Sequence, residues 1–138
     1  MDVQKLSAFN SWEKLNTHLI NSSAKEKGDG FELLTKYYFK LEPKFINLYD
    51  NVWLYDEVPF TVLEELGLVR QDLGVDLIAK TGEEYHAIQC KYHGDENRSI
   101  TYREIATFLA LYESCSHFTQ AYICTNTSSV SPNISVGK

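Results

Sequence analysis

Asp76, Gln89 and Lys91 are the residues of this chain whose types and spacing best suit metal-assisted chemistry. They lie within residues 74–94, a segment that reads as two strands joined at Gly82-Glu83. A two-residue loop, or a four-residue loop about the same centre, places the aspartate directly opposite the glutamine. The lysine then lies on the same face, two residues further along. The hairpin therefore predicts a carboxylate, a carboxamide and an ammonium group clustered near the strand ends.

The opposite face of this hairpin is apolar, which favours this register over the one that a three-residue loop would give. Its members are Val75, Leu77, Ala79, Ile88 and Cys90. A carboxylate and an amide or backbone oxygen can hold a hard cation such as Mg²⁺. A neighbouring lysine can orient the attacking water and balance charge on a phosphoryl oxygen. Asp, Gln and Lys are also common on exposed strands, so a merely solvated face remains the alternative.

The elements that must position these residues follow from hydrophobic spacing and turn residues. In chain order, the predicted elements are an amphipathic helical region over 6–19, a polar loop over 21–30, a helix over 30–41, a strand over 45–58, a short helix over 62–66 ended by Gly67, the hairpin, a helix opened by the capping box at Thr101-Tyr102-Arg103-Glu104, a strand over 117–125 and a polar tail over 128–138. This order predicts an α/β (α+β) fold, with helices on the faces of a central mixed sheet.

Composition and charge limit the partners. The chain has 138 residues, 43% of them hydrophobic, which suits one globular domain. Nineteen acidic and 13 basic residues give a net charge of −6, which argues against a protein that coats nucleic acid through a general positive field. We find no secretory signal and no apolar run of membrane length. Three cysteines without a C-x-x-C pair suggest reduced thiols, so we expect a cytoplasmic protein without membrane contact.

The motifs around these residues resemble a known family. Asp76 followed by Gln89-Cys90-Lys91 is similar to the PD-(D/E)xK nuclease superfamily, in the Mrr-like branch where Q-x-K replaces (D/E)-x-K. Residues 28–32, GDGFE, resemble the G-x-x-F-E element of the helix before the sheet, and residues 72–76, DLGVD, resemble the D-x-G-x-D element. The resemblance implies a restriction-endonuclease-like core with the order αβββαβ and hydrolysis of DNA phosphodiesters.

A closer resemblance concerns the amino-terminal nuclease domain of type ISP restriction-modification enzymes and related nuclease–helicase fusions. It is carried by the segments WEKLN, KGDGFELLTKYYF, NVWLYDEVP and AIQCKY. It implies a nuclease module excised from a larger protein that includes a helicase-like ATPase. The chain itself has no G-x-x-x-x-G-K-[ST] phosphate loop, hence no ATP site of that type. The expected organisation is a single nuclease domain over 1–138, with an N-terminal helical extension (1–27), a catalytic core (28–127) and the polar tail.

The resemblance also implies roles for individual residues. Asp76 is expected to be the principal metal ligand, Gln89 the second ligand beside the backbone carbonyl of Cys90, and Lys91 the catalytic lysine. Glu32 completes the site from the helix, directly or through water. The expected cofactor is Mg²⁺, with Mn²⁺ as a substitute, and the expected substrate is double-stranded DNA. A glutamine in place of a carboxylate is the poorer ligand for a hard cation, which leaves metal affinity and metal number open.

Other candidates have structural readings beside the functional ones. Asp29 and Glu32 have capping-box spacing, which alone would explain the glutamate. The second-tier residue Asp72 is either a site residue or the start of a turn. Further candidates are possible contacts to the DNA backbone, or else ordinary surface and turn residues: Tyr92, Arg98, Arg103, Thr125 and Thr127. His86 and His93 are expected to be packed or solvated rather than catalytic.

Three functions remain open at this stage. The first is a metal-dependent DNA endonuclease module of a restriction-modification or helicase-coupled enzyme. Its sequence specificity would lie elsewhere, since no recognition helix is evident. The second is a catalytically weak or inactive docking or DNA-binding module on the same fold, for which Gln89 is the main argument. The third is a dimeric nuclease that resolves junctions or flaps.

Overall fold

A computed structural model describes residues 12–70, 74–94 and 99–127. Asp72, Arg98 and the predicted tail over 128–138 lie outside the described residues. The elements, in chain order, are helices α1 (Trp12–Ile20) and α2 (Ala24–Leu41), strand β1 (Asn51–Leu54), a 3₁₀ helix (Tyr55–Glu57), helix α3 (Phe60–Leu66), strands β2 (Leu77–Thr81) and β3 (Glu84–Lys91), helix α4 (Tyr102–Ser114) and strand β4 (Phe118–Thr125). None of the helices in the described ranges is long and apolar enough to cross a membrane.

The four strands form one mixed sheet in the order β1-β2-β3-β4. The first two pairings are antiparallel, and β3 pairs with β4 in parallel. In the β2–β3 hairpin, Thr81 faces Glu84 and Leu77 faces Ile88. This is the predicted register, so the next positions along the ladder are those of Asp76 and Gln89. The mixed sheet with flanking helices confirms the predicted fold class.

Both faces of the sheet are covered, which gives the domain three layers. On one face, α3 and α4 pack against Ile78, Tyr85 and Ala87. On the other, Phe39 of α2 and Phe45 pack against a second group of strand side chains: Val52, Leu77, Ala79 and Ile88. Since the central strands are buried on both sides, their polar residues are placed inside the domain or at its sheet ends.

Helix α2 begins earlier than predicted. The polar loop expected over 21–30 is mostly helical, because Ser23 is the N-cap and its side chain accepts a hydrogen bond from Glu26 N at 3.2 Å. Gly28 and Gly30 lie inside the helix despite the entropic cost of glycine there. The helix ends at Leu41, as predicted, before Pro43.

The strand predicted over 45–58 is wrong in extent. Residues 43–48 form turns that place Phe45 under the sheet, and β1 has only four residues before the 3₁₀ helix begins. The neighbouring predictions are confirmed. Gly67 ends α3 in the left-handed region with φ 72°, and Thr101 and Glu104 form the capping box that opens α4.

Candidate active site

The carboxylate of Asp76 lies against the backbone of β3. Its backbone N–H donates to the Ile88 carbonyl at 2.9 Å, just beyond the last paired position of the hairpin, Leu77 with Ile88. Its Oδ2 accepts a hydrogen bond from Cys90 N at 2.7 Å. A charge-assisted hydrogen bond of this length fixes the carboxylate beside the peptide that joins Gln89 to Cys90. The structure therefore brings the predicted aspartate to the predicted glutamine segment.

Glu32 lies in the interior of α2, and the capping explanation for it is wrong. Asp29 is also inside the helix, where it pairs with Lys25 at 2.8 Å instead of capping the N-terminus. Glu32 and Asp76 line the same open cleft of about 480 Å³. The remaining lining residues of this cleft are Lys25, Asp29, Leu54, Tyr55, Asp56, Arg70 and Val75. A helix and the start of a strand thus supply two carboxylates to one cavity.

Gln89 is buried, with 4% of its surface exposed. The alternative of a solvated strand face is therefore wrong, because Ile78 and Ala87 on that face are completely buried under the helices. The Gln89 Oε1 atom is buried and has no hydrogen-bond partner among the described residues. Leaving a buried acceptor unpaired costs about 1–3 kcal/mol. An oxygen of this kind is suited to accept a ligand that the protein alone does not provide.

Lys91 and Cys90 end the strand on opposite faces. Lys91 is the last residue of β3, is half-buried and stands in register with Thr125 of β4. The Cys90 side chain packs against the core on the α2 side, and burial raises the pKa of its thiol well above the usual value. The thiol therefore stays protonated and is a poor nucleophile.

Thr125 and Thr127, two possible DNA contacts from the sequence, are joined in a turn at the end of β4. Thr125 Oγ1 lies 3.1 Å from Thr127 Oγ1 and accepts a hydrogen bond from Thr127 N, also at 3.1 Å. These bonds support the turn reading for both residues. Arg103 is exposed near the start of α4. Tyr92 is engaged within the fold, since its hydroxyl donates to the Asn16 side chain.

The loops that follow β3 and β4 are tied together by Asn126 and by His93, which the sequence predicted to be packed or solvated. His93 N donates to Asn126 Oδ1 at 2.8 Å, and Asn126 Nδ2 donates back to the His93 carbonyl at 2.6 Å. His93 Nε2 lies 2.9 Å from Glu104 Oε1, an ion-pair distance outside hydrogen-bonding geometry. These contacts hold the C-terminal end of β3, and with it Lys91, in a fixed place. Because His93 and Asn126 are 33 positions apart, no local pattern in the sequence predicts the hydrogen bonds between them.

The cleft presents the oxygen ligands of a hard cation. No cluster of three His, Cys, Asp or Glu side chains that could hold a metal occurs within 12–70, 74–94 and 99–127. The cleft carries the carboxylates of Glu32 and Asp76, whereas Gln89 and Cys90, the other expected ligands, are not among its lining residues. Carboxylate and neutral oxygen donors are the ligands that Mg²⁺ accepts while retaining several waters. The unpaired Gln89 Oε1 is the feature of the structure that best fits such a group.

The architecture is that of a restriction-endonuclease-like nuclease core: a mixed sheet between helices, an aspartate at the start of one central strand and Q-x-K on the next. The family comparison agrees. The chain belongs to the Mrr catalytic-domain family described as restriction endonuclease, whose family model matches residues 40–136. The matched range contains Asp76, Gln89 and Lys91 but begins after Glu32. The assignment of Glu32 therefore depends on the geometry of the cleft.

A solved structure is similar over most of the chain. It is described as an ATP-dependent type ISP restriction-modification enzyme, LlaBIII, bound to DNA. The two share 30% sequence identity with a TM-score of 0.63, over 86% of this chain and 7% of the enzyme. The chain thus spans a small part of the length of the protein it matches. A search of curated proteins gives no match.

Proposed function

We propose that the chain is a metal-dependent DNA endonuclease module. The observation that carries this proposal is the convergence of Glu32 and Asp76 on one cleft. The Asp76 carboxylate is hydrogen-bonded to the backbone N–H that follows Gln89, a buried residue whose Oε1 has no partner in the described protein. Membership of the restriction endonuclease family supports the reaction class. The two carboxylates alone would repel a phosphodiester, and a bound cation would offset this repulsion at the point of cleavage.

Mg²⁺, with Mn²⁺ as a substitute, would be held by Asp76, Glu32, Gln89 Oε1 and the carbonyl of Cys90. When bound, such an ion supplies Lewis-acid activation and neutralises charge on phosphate. The hydrogen bond from Cys90 N to Asp76 Oδ2 fixes the orientation of the carboxylate before any ligand arrives. This preorganisation lowers the entropic cost of assembling the site.

Lys91 would supply a positive charge to the reaction. From the end of β3, its ammonium group would donate hydrogen bonds to the attacking water or to a phosphoryl oxygen, where negative charge develops during in-line displacement. Gln89 and Lys91 alternate with Cys90 on the strand, so both project towards the face opposite the Cys90 thiol. The strand thus keeps the lysine and the glutamine together and excludes the thiol from the chemistry.

We further propose that the module belongs to a larger DNA-cleaving enzyme, in which other domains select the sequence and bring the DNA. The similar type ISP enzyme was solved bound to DNA, and this chain matches 7% of it. A net charge of −6 provides little general attraction for DNA. In this view, a helicase-like ATPase in the same polypeptide supplies the DNA, and the whole protein acts in the cytoplasm.

A plasmid-nicking assay with Mg²⁺ or Mn²⁺ tests the proposal. Wild type, Asp76→Asn and Asp50→Asn are compared. Asp76→Asn keeps an acceptor for Cys90 N but removes the charge, whereas Asp50 caps the hairpin turn through Gly82 N at 2.8 Å. We expect metal-dependent nicking by wild type and Asp50→Asn, and at least about 100-fold less by Asp76→Asn. Equal rates in the folded Asp76→Asn protein would rule out this site.

The second candidate is a docking module with little or no activity. The observation that favours it is an apolar groove of about 400 Å³ between α2 and β4, lined by Phe31, Leu34, Tyr38 and Ile123 among others. This reading predicts no metal-dependent nicking by any variant, while the proteins remain folded. It also predicts unchanged stability on addition of Mg²⁺ or Mn²⁺, because a protein without a metal site gains nothing from the ion.

A further inference from the structure

The cleft between Glu32 and Asp76 contains more negative than positive side chains. Four carboxylates and two basic residues line it, and the basic residues are Lys25 and Arg70. Lys25 pairs with Asp29 at 2.8 Å, so its charge is compensated within α2. A DNA phosphate that enters this cleft would therefore be attracted mainly by Arg70, the other basic residue of the lining.

Among the described residues, no carboxylate forms an ion pair with Arg70, which two hydrogen bonds hold at this cleft. Its Nη1 donates to the Tyr55 carbonyl at 2.9 Å, and its Nη2 donates to the Val58 carbonyl at 2.6 Å. Both acceptors are neutral, and no carboxylate of the described ranges lies within ion-pair distance of the guanidinium. Arginine has five N–H donors, so three remain for a ligand. Arg70 is exposed to solvent, which leaves them accessible.

The anchoring carbonyls make this guanidinium suitable for an oxyanion. Two hydrogen bonds restrict its rotation, so less entropy is lost when a ligand binds. The planar fork of arginine matches the oxygens of a phosphate, which lysine contacts only as a point charge. Asp76 and Arg70 line the same cavity, so a phosphate held by the arginine would lie near the proposed cleavage point.

We propose that Arg70 binds a backbone phosphate of DNA in this cleft, next to the phosphodiester that is cut. The proposal rests on the proposed function and adds to it the residue that positions the DNA strand. It predicts a sequence-independent contact, because phosphates carry no base information. Its loss should weaken the binding of all duplexes alike.

The test measures duplex binding under conditions without cleavage. Fluorescence anisotropy of a labelled duplex is recorded in EDTA across a KCl series, with every protein carrying Asp76→Asn. In this background Arg70→Gln and Arg70→Lys are compared with Lys44→Gln. Lys44 follows α2 at the end far from the cleft and lies over the Phe45 ring at 5.4 Å. The Lys44 variant has the same net charge as Arg70→Gln, so it controls for charge alone.

We expect Arg70→Gln to weaken binding about tenfold at low salt and to reduce the slope of log K against log[KCl] by about 0.9, the value for one phosphate contact. Lys44→Gln should keep the parent slope. Arg70→Lys should keep most of the slope and lose several-fold in affinity. Equal affinity and slope for Arg70→Gln and Lys44→Gln would overturn the proposal, as would a parent protein that does not bind the duplex.

A folding control and the absence of cleavage in EDTA make the result of this test unambiguous. If circular dichroism shows that Arg70→Gln is unfolded, Arg70→Lys decides, and its affinity must fall below that of the parent. An unchanged affinity of Arg70→Lys overturns the proposal. Binding in EDTA does not require catalysis, so an inactive wild type in the nicking assay would contradict the proposed function while leaving the Arg70 contact measurable.

Discussion

The polar groups at the two ends of the β2–β3 hairpin differ in whether they find hydrogen-bond partners within the fold. At the turn, the carboxylate of Asp50 accepts a hydrogen bond from Gly82 N at 2.8 Å. Close by, the hydroxyl of Tyr85 donates to Glu65 Oε2, also at 2.8 Å. Desolvation and this carboxylate raise the pKa of Tyr85 to about 12, so the hydroxyl keeps its proton. At this turn end, polar groups that leave water find partners within the fold.

At the other end of the same strands, the polar groups are not all matched within the described protein. Gln89 Oε1 is buried without a partner, and Glu32 and Asp76 share a cleft in which acidic residues predominate. Such an arrangement costs stability, by about 1–3 kcal/mol for an unpaired buried acceptor. The contrast suggests that one end of the hairpin maintains the fold and the other is shaped for a ligand.

The largest contrast should come from two lysines on one hairpin. Lys91→Met removes the ammonium group at the cleft end, whereas Lys80→Met removes one that lies over the Tyr85 ring at 5.6 Å near the turn. We expect plasmid nicking to fall at least about 100-fold in Lys91→Met, since charge stabilisation in the transition state is lost. Lys80→Met should remain within a few-fold of wild type. Equal losses in both variants would contradict a special role for the cleft end.

Two glycines provide the next contrast, in stability. Gly74 has φ 87°, and a Cβ there would lie 3.2 Å from the backbone nitrogen of Phe108. Gly82 has φ 60° with open space around it. Both alanine variants pay for the left-handed backbone, roughly 1 kcal/mol, but only Gly74→Ala also pushes α4 away from the strand. Chemical denaturation should show a loss of about 2–3 kcal/mol for Gly74→Ala. A smaller loss than in Gly82→Ala would show that the close approach is unimportant.

Replacing Gln89 with methionine should separate stability from function. The variant fills the same volume and removes the unpaired oxygen, so we expect the free energy of unfolding to rise by about 1 kcal/mol while nicking declines. Gln120→Met, at an exposed position of β4, is the control and should change stability by less than about 0.5 kcal/mol. A clear loss of stability in Gln89→Met would mean that the amide is satisfied in the fold.

The smallest effect concerns His86 on the α2 side of the sheet. Burial lowers the pKa of His86, opposed by Glu84, and Tyr49 Oη lies 2.7 Å from its Nδ1. The unfolded chain therefore binds the proton more readily than the folded one, and stability should fall as the pH drops below about 6.5. Urea titrations between pH 7 and pH 5 should show a shallower decline in His86→Leu. Tyr49→Phe should keep the wild-type decline, because burial is the main cause. The same decline in His86→Leu would assign it to other groups.

Local patterns in the sequence predicted most of the fold. The alternation of the hairpin and its glycine turn determine the register, because a shift by one residue would place Leu77 and Ile88 on opposite faces of the sheet. The capping box at Thr101 and Glu104 likewise marked the start of α4. The start of α2 was missed because Gly28 and Gly30 have low helix propensity, and tertiary packing of the helix outweighs this preference.

The candidate site was predictable in part. The sequence placed Asp76 beside Gln89 through the register. The family resemblance proposed Glu32, and α2 brings it to the same cleft as Asp76. The burial of Gln89 could not be predicted, because it depends on α4 covering that face of the sheet. Arg70 was missed for a similar reason. Its partners are carbonyls 12 and 15 residues away, and such contacts leave no periodic signal.

The most direct test of the account is metal binding by the whole chain. Mn²⁺ binding, followed by electron paramagnetic resonance of the free ion, would be measured for wild type, Asp76→Asn, Glu32→Gln and Asp50→Asn. We predict saturable binding in wild type and Asp50→Asn, and at least about tenfold weaker binding in the two cleft variants, because each loses a charged ligand. Equal Mn²⁺ affinity in all four folded proteins, or no binding in wild type, would contradict a metal centre at the Glu32–Asp76 cleft.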